Sequence, residues 1–339
     1  MVLRQVQAHR LGYPITSPHG PEILIPVDPG SDAIYPRATD RAAAARYYDV
    51  HGYVVLRGAI GEELCDAART AFAEEVRPYE GFLYRQATAD PERHVWTSGN
   101  YMLNSLLNIQ DLPSRSFPRF RAIGLEILTH PGLIAALEAI LGERPKIVQT
   151  MYFEGNPKTW AHQDTYYLDS TDLGRMVAAW VAVEDIHPGA GRFFVYPGSH
   201  RIEMPRNAGE LSIAFRHGHY KDLVLSVIRE NGLECRAPAL NKGDVLLWGS
   251  RTIHGSLETR EPQRSRASFT AHYIPASTTL LQFQSRARKL LNVKRVNGIE
   301  IHSPKDLDRL DKRSVLFVET RFPKLFKTAK KLAIRALTR

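Results

Sequence analysis

His162-Gln163-Asp164 is the stretch on which the reading of this chain turns. Side chains of an extended segment alternate between faces, so the His162 imidazole and the Asp164 carboxylate point the same way if the segment is a strand. A second histidine, in His254-Gly255-Ser256, can complete a set of three from an adjoining strand. Two imidazoles and one carboxylate on one side of a metal, with the other side open, are the donor set of a non-haem Fe(II) centre. Downstream, Arg266 in Ser265-Arg266-Ala267-Ser268 offers a planar, permanently charged fork suited to a carboxylate. Arg264 shares its strand face by parity and is a rival, although Arg266 is the one that opens the apolar run Ala267 to Ile274. Taken singly, each residue has a plainer reading: a solvated turn histidine for His162, a satisfied core or turn histidine for His254, core packing for Trp180.

Outward from that stretch the texture is one of short strands. Lys146 to Phe153, Met176 to Asp185, Arg192 to Tyr196, Asp244 to Trp248 and Arg266 to Ile274 are apolar or alternating runs rich in β-branched and aromatic residues. Turn clusters such as His187-Pro188-Gly189, Pro197-Gly198-Ser199 and Lys242-Gly243-Asp244 separate them. Helical signals come earlier: a segment capped by Asp40 and broken at His51-Gly52, an amphipathic stretch from Glu62 to Val76, and one opened by Pro131-Gly132 and closed by Gly142. Helices first and many strands afterwards predict a mainly β protein, a sandwich or barrel with helices packed outside. The Pro- and Gly-rich residues 1–36 read as an irregular arm, residues 37–285 as the catalytic core, 203–234 as an insertion of helix and loop, and 286–339 as a basic helical extension.

The 339 residues are 43% hydrophobic and 24% charged, enough for a sizeable packed interior. Cys65 and Cys235 cannot form a disulfide framework, and the start of the chain lacks an apolar secretory core, so a cytoplasmic enzyme is expected. No nucleic-acid-binding module or interleaved aromatic platform accompanies the net charge of +9. Much of that excess is C-terminal: residues 321–339 hold seven basic side chains and no acidic ones. Phe322, Leu325, Phe326, Ala329, Leu332, Ala333 and Ala336 follow a helical stripe among them. The stripe can face a membrane surface or an acidic partner, or it can cap the core with its basic side in water; capping is the expectation favoured here.

In order along the chain, Tyr48-Asp49-Val50-His51-Gly52-Tyr53-Val54-Val55-Leu56, His162-Gln163-Asp164, Trp180, Pro197-Gly198-Ser199-His200, Gly243-Asp244, His254-Gly255-Ser256 and Arg266 resemble the phytanoyl-CoA dioxygenase family of Fe(II)/2-oxoglutarate oxygenases. The resemblance implies a double-stranded β-helix, the cupin-like jelly roll, with Fe(II) held by His162, Asp164 and His254. It implies 2-oxoglutarate and O2 as co-substrates, with the C5 carboxylate of 2-oxoglutarate on Arg266, Ser256 assisting, and Trp180 and Met151 lining the pocket. Asn108 stands where some relatives carry a lysine near the co-substrate. The implied reaction is hydroxylation of an unactivated carbon of a small-molecule or lipid-like substrate. Desaturation, cyclisation and a non-catalytic sensing role stay open alternatives. Because Asp164 is present, the metal lacks the vacancy that a halogenating relative would use.

Overall fold

The computed structural model describes residues 12–204, 217–282, 287–288 and 292–337. The chain begins with a hairpin of β1 (Tyr13–Thr16) and β2 (Glu22–Ile25). The residues expected to be an irregular arm therefore carry a sheet of their own: Ile15 and Ile25 turn inward and are almost wholly buried. Helix α1 (Arg41–His51) is capped by the Asp40 carboxylate and ends at Gly52, whose φ of 78° is open to glycine at little cost. After β3 (Tyr53–Leu56), helix α2 (Glu62–Ala71) widens into one π turn over Phe72–Val76. Short pairs β4 (Leu83–Tyr84), β5 (Pro91–Glu92) and β6 (Leu106–Leu107) lead to α3 (Pro118–Leu128) and α4 (Pro131–Leu141).

The barrel proper follows. Strands β7 (Pro145–Phe153), β8 (Leu168–Ser170), β9 (Val177–Ala182), β10 (Phe193–Val195), β11 (Val245–Gly249), β12 (His254–Ser256), β13 (Ser268–Pro275), β14 (Leu280–Gln282) and β15 (Ala287–Arg288) fall on two sides of one interior, with α5 (His217–Glu230) inserted between β10 and β11. The large sheet has the order β16-β17-β7-β13-β9-β11-β3, with β6 added beside β7; β16 is Val293–Val296 and β17 is Ile299–His302. Facing it are the β10–β12 pair and the three-stranded β15-β14-β8 sheet. Strands that alternate between facing sheets along the chain make the expected jelly roll. β17 pairs with β7 in parallel, so residues expected to be purely helical extension also lend the large sheet an edge.

Why the strands are apolar on both faces follows from what covers them. One face of the large sheet meets α2, α3 and α4 through Phe72, Phe120, Tyr152 and Phe269. The other face meets the second sheet through Trp180, Trp248, Phe193 and Val195. The far side of β10 is sealed by the N-terminal hairpin and α5, through Ile15, Phe194, Tyr196 and Val224. Each such aromatic or aliphatic side chain contributes roughly 1.5–3 kcal/mol when fully buried. Among the described residues no single helix is long and apolar enough to cross a membrane.

The last two helices are α6 (Leu310–Arg321) and α7 (Pro323–Leu337). Here the capping expectation fails: Phe322, Leu325 and Leu332 are 51, 70 and 60% exposed. The inward side of α6 is supplied instead by Leu316 and the buried Glu319, which takes a 2.9 Å hydrogen bond from the Tyr84 hydroxyl. Residues 205–216 of the expected insertion and 338–339 of the tail lie outside the described residues.

Candidate active site

His162 and His254 are backbone neighbours. The His162 N–H donates to the His254 carbonyl at 3.0 Å, and the His254 N–H donates to the His162 carbonyl at 2.9 Å. Between them lies Gly255, where an added Cβ would stand 2.7 Å from the Thr159 carbonyl oxygen and 2.8 Å from that of Trp160; only glycine lets the two segments approach this closely. Gln163 is extended, as the alternation argument requires, and the chain then enters a single tight turn over Asp164–Tyr166. Ser199, in the Pro197-Gly198-Ser199 turn, holds the second histidine segment by accepting a 2.8 Å bond from the Ile253 N–H.

The imidazoles are oriented by their own strands. His162 Nδ1 donates to the Trp160 carbonyl at 2.8 Å, and His254 Nδ1 donates to the Thr252 carbonyl at 2.9 Å. Each Nε2 is thereby left with its lone pair and aimed inward, the tautomer a metal ligand needs. They lie 3.6 and 3.5 Å from Asp164 Oδ1, and one donor atom from each of the three residues fits within 4.8 Å of the others. The other oxygen, Oδ2, accepts a 2.9 Å hydrogen bond from the Trp248 indole and lies 3.4 Å from His272 Nε2. Burial pushes the His162 imidazole down, and nearby His254 adds to this, keeping it neutral. Burial alone would raise Asp164, but the facing His254 and His272 outweigh it and hold the carboxyl well below its ordinary range. Two imidazole nitrogens with one carboxylate oxygen, all three residues buried, fit Fe(II).

A second set of groups runs along the inner face of β13 and continues to Arg266, two residues before it. Arg266, Ser268, Thr270 and His272 are all buried. Arg266 Nε, Ser268 Oγ, Thr270 Oγ1 and both ring nitrogens of His272 make no hydrogen bond. Unpartnered buried polar atoms are costly, and four residues of them in one line mark a place for a polar molecule. Arg266 has no ion-pair partner among the described residues and lies 5.3 Å from the Phe153 ring centre. Burial pushes its guanidinium down to about 9, which leaves it charged at neutral pH. Arg264 is different: its side chain is 57% exposed, faces Glu261 at 3.7 Å, and helps line an open surface cavity of about 360 Å³ with Asp185 and His187.

The remaining expected residues surround this line. Thr270 is flanked by Met151 on β7 and Trp180 on β9 in the sheet register. Ser256 lies two positions beyond His254 on β12, and its hydroxyl accepts the Thr159 N–H at 2.7 Å. Asn108 is buried in a left-handed conformation, φ 57°, with its N–H bonded to the Thr150 carbonyl at 2.6 Å. Sequence reasoning missed Trp248 and His272; parity with Arg266 along β13 carried the signal for the latter. It also missed the aromatic wall on the far side of His162, where Trp160 and Tyr167 lie 5.6 and 5.8 Å from its ring. Tyr220 of α5 packs against Trp160 there, so the insertion closes over this side.

With this geometry in hand, comparison with known proteins is informative. The sequence profile of the phytanoyl-CoA dioxygenase family (PhyH) matches residues 48–268. The chain is 27% identical over 264 residues to phytanoyl-CoA dioxygenase domain-containing protein 1 of Bos taurus, covering 68% of this chain and 88% of that one. It is 27% identical over 255 residues to 1-deoxypentalenic acid 11-beta-hydroxylase of Streptomyces exfoliatus, covering 72% and 84%. Among solved structures, the non-heme alpha ketoglutarate dependent carbocyclase SnoK from nogalamycin biosynthesis superposes with a TM-score of 0.53 at 19% identity, over 73% of this chain and 89% of that one. At that identity the structural likeness is one of fold.

Proposed function

The chain belongs to the phytanoyl-CoA dioxygenase family and is an Fe(II)/2-oxoglutarate-dependent oxygenase, and on that premise we propose that it hydroxylates an unactivated carbon of a small molecule. The observation that carries the residue assignment is the convergence of His162, Asp164 and His254 donor atoms within 4.8 Å in a buried site. These three would hold the iron. Arg266 would take the distal carboxylate of 2-oxoglutarate, with Ser256 beside it, Trp180 and Met151 as walls, and Asn108 at the rim. When bound, the iron and 2-oxoglutarate supply the oxidising power, with 2-oxoglutarate leaving as succinate and CO2 while O2 is consumed.

The chain's own share is to bind, orient and exclude. The Nδ1 hydrogen bonds of His162 and His254 fix the orientation of both rings and leave Nε2 as the atom turned toward the metal site. The buried Arg266 guanidinium, with no ion-pair partner among the described residues, is an uncompensated cation until an anion reaches it, which favours a dicarboxylate over a neutral analogue. The apolar pair Trp180 and Phe193 keeps water from the interior between the sheets. Trp160 and Tyr167 offer half-buried rings beside His162, so the substrate is expected to present an apolar or ring surface.

We take residues 37–285 as the oxygenase core, 1–36 as an N-terminal arm and 286–339 as an extension. Two buried free cysteines support a cytoplasmic setting. The basic residues 321–339 supply a further contact, to an anionic membrane surface or an acidic partner. The test of the oxygenase reading is succinate release in the presence of candidate apolar substrates, measured above the uncoupled rate. His162→Ala and His254→Ala should each abolish metal-dependent release while the melting curve of the metal-free protein changes little. Full activity in either variant overturns the ligand assignment.

A further inference from the structure

Helices α6 and α7 have two unlike sides. The inner side is fastened to the barrel: Leu316 packs on a cluster of Tyr84, Leu107, Met151, Phe153 and Leu307, and Glu319 receives the Tyr84 hydroxyl at 2.9 Å. Lys327, one turn into α7, pairs with Asp90 at 2.7 Å. The outer side is apolar and uncovered. Val315, Val318, Phe322, Leu325 and Leu332 are 43, 41, 51, 70 and 60% exposed, at spacings of three, four, three and seven. Val315 and Val318 lie three apart on α6 and Leu325 and Leu332 seven apart on α7, intervals that put each pair on one side of its own helix, with Phe322 exposed at the break between the two. Leu310 and Phe317 add further exposed apolar area on α6, at 75 and 65%. A monomer in water gains nothing by presenting such a surface, and isolated exposed side chains do not account for a row at helical spacing.

Charge says what covers it. Phe322, Leu325 and Leu332 lie in a segment, residues 321–339, with seven lysines and arginines and no carboxylate. Of these, Arg321 and Lys324 are exposed beside Phe322 and Leu325. Exposed apolar residues set among cations at the start of α7 match a surface that is apolar inside and anionic at its face. We propose that the α6–α7 pair docks on an anionic lipid membrane, with Phe322, Leu325 and Leu332 entering the headgroup boundary and Arg321 and Lys324 facing the phosphates. The docked element shares its inner cluster with Met151 and Phe153, and Phe153 lies under Arg266. Docking would therefore bring the wall of the candidate pocket to the membrane. The proposal does not depend on turnover, so it stands or falls apart from the oxygenase reading.

The test is co-sedimentation of the full chain with vesicles of phosphatidylcholine plus phosphatidylserine, against phosphatidylcholine alone. Binding to the anionic vesicles and weakening with added salt are expected. Leu325→Ser with Leu332→Ser should lower the partition constant more than about tenfold at an unchanged melting temperature, from lost apolar burial. Lys324→Ser, which leaves the apolar row intact, should lower it about fivefold on anionic vesicles. The idea is overturned by absence of binding at low salt, by equal binding to both vesicle types, or by variants that bind as the parent does. It is also overturned if size-exclusion chromatography shows a concentration-dependent dimer that the double variant abolishes, because the row then faces a second copy.

Discussion

Trp248→Phe tests whether Asp164 is held in place by the residues around it. The substitution keeps most of a ring that lies 4.6 Å from Phe193 and 5.0 Å from His254, and deletes the N–H that reaches Asp164 Oδ2 at 2.9 Å. A buried hydrogen bond to an ionised acceptor is worth about 1.5–3 kcal/mol. At 1.4 kcal/mol per factor of ten, its loss corresponds to roughly 10- to 150-fold in whatever equilibrium depends on it. Removing a partner of a metal ligand commonly costs about 10- to 100-fold in metal affinity. His272 Nε2 lies 3.4 Å from the same oxygen and can take over part of the role, which argues for the low end, about tenfold. The assay is titration of metal-free protein with Co(II), read by its visible absorption, beside a melting curve of the same sample. Metal affinity should fall about tenfold, with a smaller loss of stability. A melting temperature that falls while affinity stays within about threefold would show that Trp248 only packs, and the carboxylate-orienting argument would be wrong.

Arg266→Ala should raise the 2-oxoglutarate dissociation constant by roughly 30- to 5000-fold, from about 2–5 kcal/mol for a buried charge pair losing one partner, whereas Arg264→Ala should change it little; the reverse order moves the site by two residues. Arg266→Met should bind no 2-oxoglutarate yet melt higher than the parent when both are ligand-free, because an uncompensated buried cation is replaced by an apolar chain; an unchanged or lower melting temperature would refute the cost assigned to that guanidinium. His94 is half-buried, donates through Nε2 to the Val76 carbonyl at 2.8 Å, and lies 3.2 Å through Nδ1 from the Arg85 guanidinium. Burial first and Arg85 second push it down to about 4 from 6.5. Its folded value being depressed, the unfolded chain binds the extra proton, so the stability it contributes is present above pH 6.5 and is lost as pH falls towards 4. His94→Gln should flatten the acid side of the melting-temperature profile in that window, and an unchanged slope would remove His94 from the account.

The jelly roll and its helical layer were legible because the central strands of the large sheet, such as β9 and β11, are apolar on both faces and bounded by turn residues; a run such as Met176 to Val183 has few other fates. The pair His162 and Asp164 was legible because two-residue periodicity is a local rule, and Gln163 obeys it. What sequence did not reveal depended on contacts between distant segments. Trp248 looks like one more core aromatic until the fold brings its nitrogen to Asp164, 84 residues away. Trp160, Tyr167 and Tyr220 become a wall only because α5 folds back over His162. The N-terminal hairpin was hidden by five prolines, which suggest irregularity, although alternation of Ile15 and Ile25 was enough to pair two edge strands. The tail misled in the other direction: a helical stripe says that a face is apolar, and only the packing of Leu316 and Glu319 says which side of the pair is used.

The reciprocal backbone bonds between His162 and His254 have a consequence for the supply of active enzyme. They hold the two histidine segments side by side through main-chain pairing, at 3.0 and 2.9 Å, and the Nδ1 bonds to the Trp160 and Thr252 carbonyls then orient both rings. Folding is therefore expected to precede metal loading, unlike small domains that collapse only around their ion, and a cooperative melting transition of the metal-free protein would check this. A cell short of iron would accumulate folded, dormant molecules rather than degraded ones, and restoring the metal would restore activity without new synthesis. Iron availability would then tune a standing pool of protein on the timescale of ion binding rather than of gene expression.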